Sequence, residues 1–232
     1  MTLRALVFDV FGTLVDWRTG VADAFRAAGV PGDPAELADA WRFRYQPILN
    51  EVNDGVRQWG TFDALHMATL DDVLAERALT LSLEERQRLV RAWHQLDPWP
   101  DVRGGLEALR RMYVTAPLSN AHIALLIDLA RHGDLRFDCV LSAELANAYK
   151  PAPKAYLTAA HLLDIEPDEL MLVAAHPSDL AGARAAGLRT AFINRPLEFG
   201  PATGERADPA ADLTAGDLHE LAELLASRSV AF

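Results

Sequence analysis

Cysteine is nearly absent from this 232-residue chain, where Cys139 stands alone. One thiol cannot close an internal disulfide, and it excludes a cysteine-rich metal site. Its neighbours Phe137, Val140 and Leu141 are apolar, so it reads as a packing residue. Lysine is almost as scarce: of 22 Lys and Arg residues, only Lys150 and Lys154 are lysines. Positive charge is outnumbered by 33 Asp and Glu, which leaves a net charge of −11. That balance argues against a nucleic-acid partner or an anionic membrane surface. No apolar run is long enough to span a bilayer, and the start at Met1 lacks a basic leader region, so the expected location is the cytoplasm. The histidines, His66, His94, His122, His132, His161 and His219 among them, show no metal-ligand spacing.

Against these absences stands one telling stretch, Phe8-Asp9-Val10-Phe11-Gly12-Thr13. It closes an apolar run from Leu3 that reads as a strand buried on both faces. Asp9 then falls at the carboxyl end of that strand, followed by a glycine turn. In open parallel α/β sheets this edge is where ligands bind. A carboxylate there can serve as a nucleophile. Two residues on stands Phe11, which can neither accept nor donate a proton.

Residues 17–97 contain no good strand. Helical periodicity runs over 21–28, 35–52, 62–78 and 83–93. Asp33-Pro34 and Ser82 with Glu85 are expected helix starts. From 101 onward strands and helices alternate. Strands are expected at 113–118, 137–141, 169–174 and 190–193, helices at 104–112, 123–131, 152–163 and 180–186. A last helix begins at Leu213 or Asp217, after a polar loop over 200–209. The alternation predicts a Rossmann-like, doubly wound parallel sheet. Residues 1–15 and 98–232 would form this α/β core domain, and 16–97 a helical cap domain inserted over the sheet edge. Three further strand ends or loops then deliver polar groups toward Asp9: Ser119-Asn120, Lys150-Pro151 and His176-Pro177-Ser178-Asp179. Singly, each pattern is commoner as a turn or helix cap.

In this order they resemble the four motifs of the haloacid dehalogenase superfamily. Phosphatases of that superfamily carry Asp-x-Asp in the first motif, and the second Asp protonates the leaving alcohol. Here Phe11 replaces it. A halide needs no proton to leave, so the pattern favours displacement at carbon. The chain is most similar to the L-2-haloacid dehalogenase branch, which has Trp-Arg in its cap (Trp41-Arg42 here) and a Tyr six residues after the motif Lys (Tyr156 here). About 200 residues follow that layout.

The resemblance implies a hydrolase acting on short 2-haloalkanoic acids, fluoroacetate included if the halide pocket is tight. Asp9 would attack the halogen-bearing carbon and form an ester. Lys150 would hold Asp9 ionised, with Thr13 and Asp179 positioning that Lys. Ser119, Asn120 and the backbone N–H groups of Val10 and Phe11 would bind the substrate carboxylate. Arg42 would receive the halide in a pocket shared with Trp59, Phe62 and Asn120. Tyr156 would donate to Asp179 or to the substrate site. Relatives carry Ser-x-Asn before the motif Asp, where this chain has Ala174 and His176. His176, able to accept a proton near neutral pH, is assigned to activating the water that cleaves the ester. No metal and no cofactor are expected, and the family implies a homodimer. The alternatives are a phosphatase of the same superfamily and a non-catalytic binding protein.

Overall fold

The computed structural model describes residues 2–201 and 207–229. The leading apolar run forms strand β1 (Ala5–Phe8), with all four residues buried. Side chains alternate between the faces of a strand. Leu6 and Phe8 join the larger apolar cluster, and Ala5 and Val7 join a second one on the opposite face.

Five helices follow β1: α1 (Trp17–Ala27), α2 (Pro34–Phe43), α3 (Tyr45–Asn53), α4 (Phe62–Glu76) and α5 (Leu83–Ala92). The caps fall where the sequence places them. Asp33 accepts from the Ala35 and Glu36 N–H groups, and Ser82 with Glu85 forms a complete capping box. The single helix expected over 35–52 is two helices, α2 and α3. Pro47 supplies the reason: it has no N–H for the Phe43 carbonyl, and its ring crowds that turn. The Arg44 N–H bonds instead to the Trp41 carbonyl at 3.2 Å.

The rest alternates: α6 (Val102–Arg110), β2 (Val114–Ser119), α7 (Ile123–Gly133), β3 (Leu141–Ser142), α8 (Pro153–Leu162), β4 (Leu170–Ala174), α9 (Pro177–Ala185), β5 (Arg189–Ile193), β6 (Leu213–Ala215) and α10 (Leu218–Ser229). The six strands are all parallel, in the order β3-β2-β1-β4-β5-β6. Helices α6, α7 and α10 cover the Leu6 and Phe8 face, and α8 and α9 cover the other. Each fully buried Leu or Phe of these layers is worth about 1.5–3 kcal/mol.

Two further expectations are corrected. The strand expected at 137–141 is only Leu141–Ser142. The Asp138 N–H still bonds to the Thr115 carbonyl at 2.9 Å, but its carboxylate takes the Thr115 N–H and hydroxyl, at 3.0 and 3.1 Å, where a ladder would need a backbone carbonyl. The second is β6, which the sequence reading assigned to loop or helix; it is three residues long and pairs with β5. Part of the loop expected over 200–209 lies outside the described residues.

The chain leaves β1 for β2 on one side and returns to β4 on the other. β1 is therefore the topological switch point, and Asp9 sits at its carboxyl end, where such sheets bind ligands.

Candidate active site

Lys150 is held between two carboxylates. Its Nζ donates to Asp9 Oδ1 at 2.9 Å and to Asp179 Oδ2 at 2.5 Å. All three residues are buried. Asp9 comes from the end of β1, Lys150 from the loop before α8, and Asp179 from the first turn of α9. Tyr156, on α8, donates to Asp179 Oδ1 at 2.6 Å. Asn120 fixes the Lys150 backbone from both ends: its Oδ1 accepts the Lys150 N–H at 2.7 Å, and its Nδ2 donates to the Lys150 carbonyl at 3.3 Å.

The other oxygen of Asp9 has two donors. Thr13 Oγ1 donates to Asp9 Oδ2 at 2.8 Å and accepts the Ala175 N–H at 2.9 Å. Thr13 thus serves Asp9 and not Lys150, because the Gly12 turn folds its hydroxyl back over the strand end. His176 Nδ1 lies 3.1 Å from Asp9 Oδ2, and its Nε2 lies 2.7 Å from Glu198 Oε1. Glu198 also accepts from Trp17 Nε1 at 3.2 Å.

The electrostatics follow from these contacts. Burial alone would raise Asp9; the Lys150 ammonium and the His176 ring outweigh it and hold the carboxylate far below its ordinary range. Burial would lower Lys150, but Asp179 and Asp9 raise it further. Burial would also lower His176, yet its bonds to Asp9 and Glu198 push it up to about 9. The resting ring is therefore a cation at neutral pH. This corrects the expectation of a ring free to accept a proton: two carboxylates already claim both nitrogens.

A cavity of about 510 Å³ opens over Asp9, Asn120, Lys150, His176 and Asp179, with Arg42, Phe43 and Tyr45 from the inserted helices on its other side. The Arg42 guanidinium lies 4.3 Å over the Tyr45 ring and 5.6 Å from that of Trp17, and its Nε is buried without a hydrogen-bond partner. Trp59 and Phe62 do not line the cavity. Trp59 stacks on Tyr149, while Phe62 packs behind Tyr45 and against Phe11. The apolar wall is made by Phe43, Tyr45 and Phe199 instead. Ser119 is buried beside the site, where its Oγ accepts the Ala121 N–H at 3.2 Å. Val10 and Phe11 form the turn after Asp9, and the Phe11 ring meets Trp93 edge-on. Trp41 is core, donating to the His66 carbonyl.

Sequence reasoning missed Glu198, Tyr45, Phe43 and Phe199. Tyr45 stands one helical turn from Arg42, which was a usable signal. Glu198 lies in the loop after β5, at no fixed spacing from any motif.

The arrangement defines an α/β protein with a buried, ionised carboxylate at a strand end. Residues 3–187 match the family model described as haloacid dehalogenase-like hydrolase. The (S)-2-haloacid dehalogenase 1 of Pseudomonas sp. (strain CBS-3) is 34% identical over 196 residues, covering 83% of this chain and 85% of that protein. The crystal structure of a defluorinating L-2-haloacid dehalogenase superposes with a TM-score of 0.92 at 41% identity, covering 97% of this chain and 95% of that one. Another L-2-haloacid dehalogenase structure has a TM-score of 0.91 at 45% identity, covering 96% and 99%. The chain belongs to the haloacid dehalogenase-like hydrolases.

Proposed function

We propose that the protein hydrolyses the carbon–halogen bond of short 2-haloalkanoic acids, with inversion at the carbon. The observation that carries this is Asp9, ionised by Lys150, with Phe11 in place of a second acid. Displacement of a halide needs a strong carboxylate nucleophile and no proton donor for the leaving group. The relatives' names support the same reaction, and the defluorinating one places fluoroacetate among the substrates to test.

Oδ1 accepts one hydrogen bond and Oδ2 accepts two, so Oδ1 is the attacking atom. Its lone pair forms the C–O bond as halide departs toward Arg42. The Val10 and Phe11 N–H groups hold the substrate carboxylate in line for the attack, while the Asn120 amide, donating to the Lys150 carbonyl and to Tyr45 Oη, fixes the wall beside it. Asp9 is then an ester, with Oδ2 as its carbonyl oxygen, polarised by Thr13. Esterification removes one of the two charges that keep His176 protonated. The ring gives up its Nδ1 proton to solvent, keeps its Nε2 proton on Glu198, and takes a proton at Nδ1 from the water that attacks the ester carbonyl. The Asp9 acyl–oxygen bond breaks and the 2-hydroxy acid leaves. Phe43, Tyr45 and Phe199 keep bulk water from competing at the nucleophile.

In this reading the inserted helices act as a cap, and Lys150 fills the position between Asp9 and Asp179 that a metal would need. The homodimer rests on the family resemblance, which light scattering checks; cell fractionation checks the cytoplasmic location expected from the sequence. Among the described residues, no helix is long and apolar enough to cross a membrane.

The test is halide release from chloroacetate, fluoroacetate and both enantiomers of 2-chloropropionate, with and without EDTA. Release insensitive to EDTA, and lost in Asp9→Asn, is expected. Magnesium-dependent release of phosphate from a phosphate ester, without halide release, would replace this reading with the phosphatase.

A further inference from the structure

A second cluster of titratable groups lies outside the cavity lining. Asp63 sits in the first turn of α4, His94 two residues beyond α5, and His122 caps α7. His94 Nε2 is 2.9 Å from Asp63 Oδ1 and 3.2 Å from Oδ2. His122 Nε2 is 3.8 Å from Asp63 Oδ2, too long for a hydrogen bond. The His122 side chain is only 10% exposed, and its Nδ1 is buried with no partner. With Nδ1 turned away from Asp63, the nitrogen that faces Asp63 and is open to a ligand is Nε2, which makes no hydrogen bond there.

We propose that Asp63, His94 and His122 bind one divalent transition-metal ion, Zn²⁺ by the chemistry of the donors. Two imidazoles and a carboxylate are a borderline N/O set that suits this ion. Tetrahedral zinc with bonds of about 2.0–2.1 Å sets its ligand atoms about 3.3 Å apart. The separations of 3.2 Å from His94 to Asp63 Oδ2 and 3.8 Å from His122 to the same oxygen bracket that value. One ligand atom from each residue lies within 4.8 Å of the others. The outer shell is present too. His94 Nδ1 lies 2.8 Å from Asp128 Oδ2, the carboxylate–histidine pairing that orients metal-ligating imidazoles.

The sequence shows no metal spacing because the three residues come from separate elements, and only the fold joins them. Asp63 and His94 belong to the inserted helices, while His122 and Asp128 belong to the sheet body. The ion would clamp the two together, two residues beyond Asn120, which grips the Lys150 backbone. It takes no part in chemistry at Asp9, so the site stands or falls independently of the dehalogenase reading. Without metal, His94 holds protons toward Asp63 and Asp128, with Arg91 and His122 as its cationic and neutral neighbours. Binding forms a Zn–Nε2 bond and releases the Nε2 proton to solvent.

The test is calorimetric titration of the EDTA-stripped full chain with Zn²⁺, in two buffers of different ionisation heat, and absorption of the Co²⁺ form. One ion per chain, proton release and tetrahedral N/O cobalt bands are expected. His122→Ala and Asp63→Asn should abolish all three. Asp128→Asn, on a half-exposed helix position where folding is not at risk, should weaken binding about 10–100-fold. His132→Ala, at an exposed histidine, should leave binding unchanged. No saturable binding, or binding that survives in His122→Ala and is unaltered in Asp128→Asn, would overturn the site.

Discussion

At the residue scale, the chemistry turns on which group holds the proton of His176. The ring is flanked by Asp9 at 3.1 Å and Glu198 at 2.7 Å, so a lone histidine is an incomplete description of the base. Glu198 is fully buried, and the Gly12 turn closes over it. In Glu198→Gln the amide still offers an oxygen to the ring Nε2–H, but it carries no charge to stabilise the imidazolium that forms when Nδ1 takes the water's proton. Ester formation on Asp9 should persist and ester hydrolysis should slow, by about 10²–10⁴-fold for loss of a general base. Steady-state halide release should fall by that factor while one equivalent is released in a burst. Intact-mass measurement during turnover should show the acyl adduct on the chain. His176→Asn should behave alike. A variant with wild-type turnover and no adduct would remove the pair from the hydrolytic step.

At the scale of elements, the turn after β1 does more than present Asp9 to the cavity. Gly12 has φ +86, a left-handed conformation that side chains rarely adopt, and an added Cβ would lie 2.2 Å from Glu198 Oε1. Gly12→Ala should cost about 1–3 kcal/mol in denaturant unfolding. It should also displace the Glu198 carboxylate and reproduce the adduct accumulation of Glu198→Gln. Normal stability with normal turnover would show that the turn tolerates a side chain. The same turn marks what was legible in the sequence. Asp9, Lys150 and Asp179 were readable because each sits at a strand end or helix start, and periodicity locates those ends. Tyr156 was readable only through the family spacing. Glu198 was not, because a loop residue carries no periodic signal and its partner is 22 positions away. Short strands failed for a related reason. β6 has three residues, too few for alternation to show. The Pro47 break was visible in principle, since a proline at that position removes an amide the helix needs.

At the scale of the whole molecule, the site is also a junction. Phe43 of α2 stacks on Phe199 of the sheet body with centroids 6.2 Å apart, and the Trp17 indole of α1 donates to Glu198 at 3.2 Å. Charged groups buried at such a junction make stability depend on pH. The folded His176 value, about 9, lies above its ordinary 6.5. Its stabilising contribution is therefore complete below pH 6.5 and lost as pH rises through 9; for this single group it is at most about 3 kcal/mol. His94 is raised as well, against burial, by Asp63 and Asp128, and it adds loss in the same direction. Asp9 is lowered from 3.8, so its contribution is present above that pH and lost only as pH falls below it. The unfolding midpoint should hence decline from about pH 6.5 toward pH 9. In His176→Asn the alkaline decline should be shallower, with the His94 part remaining. The difference between the two curves isolates His176, because both chains share every other titrating group. Parallel curves from pH 6.5 to 9 would mean that the ring is not a cation in the resting site. His176 would then be neutral before the substrate arrives, and no charge lost on esterification would be needed to turn it into a base.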